Sequence, residues 1–312
     1  MKNIIFFILS IAVLSCGDSK NKYEYILKDE SFRSKVLNNN PGEYVKLSNG
    51  YTYFEEANIN SVKAAVVLVH GYSIPSYIMQ TLFLSLKKKQ YRVIMMDLYG
   101  RGFSDNPELA QTDELRANQV IELLENRGIE IASIVGLSNG GRIISKIADL
   151  NPQIVKSLFY IASSGFYEYD EITDKSVSQE EINNLISAYP QMAEGQRNDF
   201  FDPSKFQNWV EKYEELLKYK GFAKALISTT KNLETLDDVH IKIDSLGIPV
   251  FTFWGQYDEV VIYDSFKERL NKVLPNRIEY TISNSGHLPH MENQIEFENL
   301  FFKHLDSISK KN

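Results

Sequence analysis

The stretch IASIVGLSNGGRIISKIADL, residues 131–150, determines the fold assignment because its hydrophobic period changes halfway along. Residues 131–135 form a short apolar run, which is typical of a strand that is buried on both faces. In residues 140–150, isoleucines recur at three- and four-residue spacing, as on one face of a helix. The segment Gly136-Leu137-Ser138-Asn139-Gly140 therefore predicts a tight turn from a strand into a helix.

Other segments of the chain repeat this alternation of strands and helices. Eight runs of strand character lie at 43–47, 51–56, 64–69, 92–96, 131–135, 155–161, 248–254 and 277–282. Helical stretches are clearest at 112–126, 140–150 and 264–274. The pattern predicts an α/β fold with a mostly parallel, eight-stranded sheet flanked by helices.

One interval between strands is much longer than an ordinary crossover connection. Residues 163–246 separate the sixth run from the seventh, and they predict a helical cap inserted into a core formed by 41–162 and 247–312. Asp202-Pro203 has the composition of a helix start, and the apolar residues from Phe206 to Leu217 follow it at helical spacing. A second short helix is expected at 221–230.

Composition excludes several classes of protein. The 312 residues are 43% hydrophobic and 24% charged, as in globular proteins rather than disordered or collagen-like ones. With 41 acidic and 34 basic residues the net charge is -7, which argues against a nucleic-acid partner. A single cysteine excludes an internal disulfide and a cysteine-based zinc site.

That cysteine follows an N-terminal segment with the features of a secretory signal. Lys2 precedes an apolar run at 4–14, which is too short to span a bilayer as a helix. The run ends in Val13-Leu14-Ser15-Cys16-Gly17, which resembles the lipobox of bacterial lipoproteins. The resemblance implies a signal peptide at 1–15, a lipid on Cys16, a tether and lead-in at 16–40, and a location in the bacterial cell envelope. The alternative is an ordinary cleaved signal with an incidental cysteine.

Three side chains have the chemistry of a nucleophile, a base and an orienting acid. A serine hydroxyl such as that of Ser138 is a weak nucleophile that needs a base, which in turn needs a third group to orient it. Asp258 follows the predicted strand at 248–254, and His287 follows the one at 277–282. The carboxyl ends of parallel strands lie at one edge of a sheet, so we expect the three residues to converge there.

Four features together resemble the α/β-hydrolase superfamily, in its capped branch of esterase and lipase type. They are the turn around Ser138, the order serine–aspartate–histidine, the string His70-Gly71-Tyr72, and DLYGRGFSD at 97–105. The resemblance covers the chain from about residue 43 onward and implies that Ser138, Asp258 and His287 form a catalytic triad. It also implies an oxyanion hole formed by the backbone N–H groups of Tyr72 and Asn139.

Other polar residues have simpler interpretations. His290 forms a His-x-x-His pair with His287, but no third ligand lies nearby, so we expect His290 to line the pocket mouth or cap the last helix rather than bind metal. Asp97 and Asp105 are expected to hold loops by hydrogen bonds. Gly100-Arg101-Gly102 lacks the last glycine of a dinucleotide loop, so no cofactor is predicted.

The resemblance also narrows the expected reaction. A serine at the turn excludes the branches that use aspartate there, notably haloalkane dehalogenases and epoxide hydrolases. We expect hydrolysis of a small-molecule ester with an apolar acyl or alcohol group, through an acyl-enzyme. The alternatives are carbon–carbon bond hydrolysis, cofactor-free perhydrolysis, and a catalytically silent lipoprotein that keeps the fold. Aromatic residues of the cap that could contact an apolar group are Phe166, Tyr167, Tyr169, Phe200, Phe201, Phe206 and Trp209.

Overall fold

Eight strands form one sheet in a computed structural model that describes residues 22–309. Each predicted strand is present, with its ends within two residues of the expected positions. The strands are β1 (Glu43–Leu47), β2 (Gly50–Ala57), β3 (Ala65–Val69), β4 (Val93–Met96), β5 (Ala132–Leu137), β6 (Val155–Ile161), β7 (Val250–Gly255) and β8 (Ile278–Ile282). The predicted signal peptide and Cys16 lie outside the described residues.

The order of the strands puts the predicted site residues at one edge of the sheet. The spatial order is β1-β2-β4-β3-β5-β6-β7-β8, and all neighbours from β4 to β8 pair in parallel. The strand β2 is antiparallel to both of its neighbours, β1 and β4. The carboxyl ends of β5, β7 and β8 therefore lie at the same edge, and Ser138, Asp258 and His287 follow these three strands. The predicted fold class is confirmed.

Helices bury both faces of this sheet, as the apolar strands require. Along β3, Val66 and Leu68 belong to one core, while Val67 and Val69 belong to the other. Helices outside the predicted cap are α1 (Glu30–Asn39), α2 (Gln80–Lys88), α3 (Asp113–Asn126), α4 (Gly140–Leu150), α10 (Lys267–Val273), α11 (Pro289–Glu292) and α12 (Gln294–Ser309). The first core includes side chains of α2 and α12, and the second includes side chains of α3, α4 and α10.

Five helices lie in the long interval between β6 and β7. They are α5 (Gln179–Ser187), α6 (Tyr189–Gly195), α7 (Trp209–Leu216), α8 (Phe222–Lys231) and α9 (Asp237–Ser245). A helix start is present at Asp202-Pro203, but the prediction of one continuous helix from there is wrong. Those residues start a short 3-10 turn, and α7 begins at Trp209. Phe206 leaves helical geometry at φ -125° and ψ 49°, and its ring stacks on Phe200 at 4.1 Å between centroids.

The described part of the lead-in, 22–40, binds the cap and then forms α1. Backbone bonds join Glu24 N–H to the Leu217 carbonyl and Ile26 N–H to the Lys218 carbonyl, at 2.9 and 2.8 Å. The Glu24 carboxylate accepts hydrogen bonds from the N–H groups of Gly221 and Ala223 at the start of α8. Within residues 22–309, no helix has both the length and the apolar character needed to cross a membrane.

Candidate active site

The turn between β5 and α4 holds Ser138 in a backbone conformation that residues other than glycine rarely adopt. Its φ is +52°, in the left-handed region, where strain persists only if neighbouring contacts enforce it. Ser138 N–H donates to the Ile161 carbonyl at 2.8 Å. The Ser138 carbonyl accepts from the N–H groups of Gly141 and Ser164, at 3.0 and 3.2 Å. These bonds fix Ser138 at the carboxyl end of β5.

Close packing explains the glycines on either side of Ser138. A Cβ atom on Gly136 would lie 2.6 Å from the Gly140 carbonyl oxygen. A Cβ on Gly140 would lie 2.5 Å from the carbonyl oxygens of both Val69 and His70. The two glycines therefore allow the turn to pack against the end of β3, where the His70-Gly71-Tyr72 loop begins.

The structure brings Asp258 and His287 together. His287 Nδ1 lies 2.9 Å from Asp258 Oδ2, and both side chains are buried. The other carboxylate oxygen, Asp258 Oδ1, accepts from the N–H groups of Val260 and Val261 at 2.9 and 2.8 Å. An ionised carboxylate only accepts, so Nδ1 carries the proton and Nε2 is left as the acceptor. This is the tautomer that a general base for serine requires.

The charge environment of His287 favours its protonated form. Burial lowers the pKa of His287, but the negative charge of Asp258, the hydrogen bond to it and the charge of Asp199 outweigh burial. The net effect raises the pKa above the ordinary value of 6.5. His287 is thus able to hold the proton that it takes from a nucleophile.

Ser138 lies at the same edge of the sheet but is not bonded to the histidine. Among residues 22–309, no hydrogen bond is made by the Ser138 hydroxyl, with His287 or with any other group. Catalytic hydrogen bonds are often long or poorly aligned until substrate binds. The structure thus joins two of the three predicted triad residues directly and places the third at the same edge of the sheet.

The two predicted oxyanion donors are free to bind a ligand. Within the part of the chain that the structure describes, the backbone N–H groups of Tyr72 and Asn139 have no acceptor. The Tyr72 loop lies against the turn that carries Ser138, since a Cβ on Gly71 would be 3.2 Å from Ser138 Cβ. Unpaired backbone donors beside a nucleophile can stabilise an oxygen that becomes negative during reaction.

His70 and Asp97 hold the loop that carries Tyr72. His70 Nε2 accepts from Leu98 N–H at 2.9 Å, and burial lowers the pKa of His70 to about 3, so its ring is neutral. Asp97 accepts from the N–H groups of Ser76 and Phe103, each at 2.8 Å, and so joins two loops. The predicted loop-holding role of Asp97 is confirmed. Asp105 plays the same role, because it accepts from Tyr51 N–H at 2.8 Å.

Asp199 and Glu292 bind the histidine loop to the cap, and the sequence analysis missed both. His287 N–H donates to the Asp199 carbonyl at 2.8 Å. Glu292 Oε2 accepts from Gly286 N–H at 2.6 Å, and Glu292 Oε1 accepts from the N–H groups of Phe201 and Asp202 at 2.8 and 3.1 Å. Neither residue belongs to a recognisable motif, and Asp199 lies far from the histidine in sequence.

The Asp199 carboxyl is the second acidic group that acts on the histidine ring. Burial raises the pKa of Asp199 to about 6. The positive charge of His287 lowers this pKa, whereas the charges of Asp258 and Glu292 raise it. At neutral pH the Asp199 carboxyl is therefore mostly ionised, and it adds negative charge on the cap side of the site.

Two expectations about flanking residues are corrected. His290 is buried, and its Nε2 lies 2.9 Å from the Ile78 carbonyl, so it neither lines a mouth nor caps α12. Phe166 packs in the second core against Trp254 and Phe266 rather than in a substrate cavity. Tyr167 packs with it and accepts a hydrogen bond from Ile262 N–H. In the described residues, no group of three or more His, Cys, Asp or Glu side chains could hold a metal ion.

Two cavities lie away from the turn that carries Ser138. One has a volume of about 410 Å³ and is lined by residues 204–209, Lys212 and Met291. The other measures about 590 Å³. It lies between the described lead-in at 22–40, here called the N-terminal arm, the 105–108 loop and helices α5 and α8. Neither is lined by Ser138 or His287, and the first includes Trp209 of α7.

Known proteins resemble this chain in sequence and in fold. Residues 64–242 match the family described as alpha/beta hydrolase fold. The chain is 22% identical over 255 residues to the uncharacterized hydrolase YugF of Bacillus subtilis, covering 77% of this chain and 89% of that protein. It is 25% identical over 244 residues to the pimeloyl-(acyl-carrier protein) methyl ester esterase of Shewanella woodyi, covering 74% of this chain and 90% of that protein. The solved structure of 2-hydroxy-6-oxo-6-phenylhexa-2,4-dienoate hydrolase from Rhodococcus sp. strain RHA1 is similar with a TM-score of 0.70 at 19% identity, covering 85% of this chain and 98% of that chain.

Proposed function

Because this chain belongs to the alpha/beta hydrolase fold family, we propose that it is a serine hydrolase that cleaves carboxylic esters of apolar acyl or alcohol groups. The observation that carries the proposal is the Asp258–His287 pair, joined at 2.9 Å at the sheet edge that also holds Ser138. The esterase of Shewanella woodyi, similar over most of both chains, supports ester chemistry.

The proposed reaction proceeds in two halves. Ser138 Oγ attacks the ester carbonyl carbon while its proton passes to His287 Nε2, and the carbonyl oxygen becomes an oxyanion that accepts from Tyr72 and Asn139 N–H. Collapse breaks the bond to the alcohol, which leaves with the proton from His287. Water then attacks the acyl-enzyme, again giving a proton to His287, and releases the acid and the free serine hydroxyl.

Carbon–carbon bond hydrolysis is a second reaction that this site could perform. The similarity to the Rhodococcus hydrolase is one of fold, since only 19% of residues are identical. The two activities are separated by measuring turnover of p-nitrophenyl esters and of a diketone whose carbonyl groups are conjugated through a carbon–carbon double bond. Ester turnover at least 100-fold faster than diketone cleavage would support the esterase assignment, and the reverse ratio would overturn it.

The test of the nucleophile is a matched pair of serine variants. Ser138→Ala is expected to reduce turnover of p-nitrophenyl butyrate by at least about 1,000-fold, because attack needs the hydroxyl. The melting temperature should hardly change, because the Ser138 hydroxyl makes no hydrogen bond within residues 22–309. Ser187→Ala, on the exposed face of α5, is the control and should keep full activity. Equal activity in both variants would exclude Ser138 as the nucleophile.

We also propose that Cys16 carries a lipid that anchors the protein in the bacterial cell envelope. The proposal rests on the sequence Val13-Leu14-Ser15-Cys16-Gly17 after an apolar run. Full-length protein expressed in a bacterium should partition into the detergent phase of Triton X-114, and Cys16→Ala should move it to the aqueous phase. Aqueous partitioning of the unchanged protein would contradict the proposal.

A further inference from the structure

Three buried side-chain donors lack any partner at the boundary between the cap and the core. They are the Tyr77 hydroxyl, the Trp209 indole N–H and the Tyr213 hydroxyl, none of which has a hydrogen-bond partner among the described residues. Buried polar groups are nearly always hydrogen-bonded, because an unpaired one costs about 1–3 kcal/mol. Other unpaired buried polar atoms occur in the described residues, but these three are donors on neighbouring aromatic residues.

The three donors form one cluster. The rings of Tyr77 and Trp209 meet edge to face, with centroids 5.7 Å apart. Trp209 and Tyr213 lie one turn apart on α7, and all three residues pack in the first core. Tyr77 belongs to the 3-10 turn Ser76–Met79, so it reaches the cluster from the core side while α7 reaches it from the cap.

The loops of the proposed catalytic site lie on both sides of the cluster. Trp209 contacts the ring of Phe200 at 5.3 Å, and the preceding residue, Asp199, holds His287 through its carbonyl. On the other side, Ser73 follows the proposed oxyanion donor Tyr72. Burial raises the pKa of the Tyr213 hydroxyl, and Ser73 lies close enough to lower it in part. No hydrogen bond of normal geometry joins Ser73 to that hydroxyl.

We propose that Tyr77, Trp209 and Tyr213 form a polar subsite that donates hydrogen bonds to an uncharged oxygen acceptor on the substrate, such as a ketone, ether or hydroxyl oxygen. This inference rests on the proposed function, and it changes the expected substrate from a purely apolar ester to one with such an oxygen. The three donors are neutral hydroxyl and indole groups, which suit an uncharged oxygen acceptor. A site that hydrogen-bonds a substrate oxygen discriminates strongly against analogues that lack it.

The test compares pairs of esters that differ in one acceptor. For the acyl side the pair is p-nitrophenyl levulinate and p-nitrophenyl pentanoate, and for the alcohol side it is 2-methoxyethyl butyrate and butyl butyrate. The ratio of kcat/KM within each pair is measured for the unchanged protein, Tyr77→Phe, Trp209→Phe and the control Tyr25→Phe, whose ring is largely exposed. Comparing each variant's ratio with that of the unchanged protein cancels the intrinsic reactivity of the esters.

We expect Tyr77→Phe and Trp209→Phe each to lower the ratio about 5-fold in at least one pair, as the loss of one hydrogen bond predicts. The control should leave both ratios unchanged. If neither variant changes either ratio by more than 2-fold, the donors bind ordered water only and the proposal is wrong.

A binding measurement separates this proposal from the proposed function. Ser138→Ala protein, and the same protein with Trp209→Phe added, are titrated calorimetrically with ethyl levulinate and ethyl pentanoate. Tighter binding of levulinate that is lost with Trp209→Phe supports the subsite even if no ester is turned over. Turnover that depends on Ser138, with equal binding of the two esters in both proteins, supports the hydrolase and rejects the subsite.

Discussion

Replacing Glu292 by glutamine is expected to slow the reaction by loosening the loop that carries His287. The Glu292 carboxylate accepts from Gly286 N–H with one oxygen and from Phe201 and Asp202 N–H with the other. Glutamine has one acceptor oxygen, which can satisfy the two cap donors. Its NH₂ group then faces Gly286 N–H, the residue before the histidine, and that bond is lost.

The magnitude follows from this one contact. Losing a hydrogen bond to a charged acceptor costs about 1.5–3 kcal/mol, and the carboxylate is only half-buried, so we take the low end at about 2 kcal/mol. If the whole cost falls on the population of correctly placed His287, kcat falls by at most about 30-fold. Because Glu292 does not line the nucleophile turn, KM should change less than 3-fold.

The assay is steady-state hydrolysis of p-nitrophenyl butyrate across pH, with thermal unfolding measured in parallel. Glu298→Gln is the matched control, because within residues 22–309 Glu298 accepts hydrogen bonds from the side chains of Ser85 and Gln294 and none from the histidine loop. A purely structural role would lower the melting temperature without changing kcat at a temperature where both variants are folded. Wild-type kcat in folded Glu292→Gln would refute the reasoning.

Three further outcomes are expected. The pH profile of kcat/KM should rise through an apparent pKa above 6.5, because Asp258 raises the pKa of His287 and only the neutral ring accepts a proton. Asp258→Asn should move that midpoint downward, because burial then dominates, and an unchanged midpoint would contradict the assignment. Gly140→Ala should lower the free energy of unfolding by about 1–3 kcal/mol in urea titrations, because its Cβ would meet backbone oxygens at 2.5 Å. Gly195→Ala, where a Cβ meets nothing within 4 Å, should cost nothing, and equal losses would count against this reading. Glu24→Ala should reduce hydrogen-exchange protection at the start of α8 by about 5- to 30-fold, and unchanged protection would show that the N-terminal arm does not stabilise the cap.

Hydrophobic periodicity predicted the sheet well because buried parallel strands are short apolar runs between turns. The Asp202-Pro203 helix-start signal, in contrast, does not mark the start of α7. An aspartate followed by proline satisfies the local rule for a helix start, and the same Asp202-Pro203 pair is equally suited to the short 3-10 turn found there. The ring of Phe206 stacks on Phe200, and the backbone of Phe206 lies outside helical geometry, which separates the 3-10 turn from α7.

The same limit applies to the site. The placement of Ser138, Asp258 and His287 at one edge of the sheet could be predicted because each follows a strand, and strand ends are visible in the sequence. The roles of Asp199 and Glu292 depend on how the cap folds back on the histidine loop, and no periodicity encodes that contact. The unpaired donors of Tyr77 and Trp209 were equally hidden, because an aromatic residue at helical spacing has the same pattern whether or not its polar atom finds a partner.

Covalent labelling tests the central claim most directly. The folded protein is incubated with a fluorophosphonate, digested, and mapped by mass spectrometry, with Ser138→Ala and His287→Ala treated in the same way. The account predicts one adduct per chain on Ser138, none in Ser138→Ala, and labelling at least about 100-fold slower in His287→Ala. An adduct on another serine, or no adduct in folded and monodisperse protein, would contradict it.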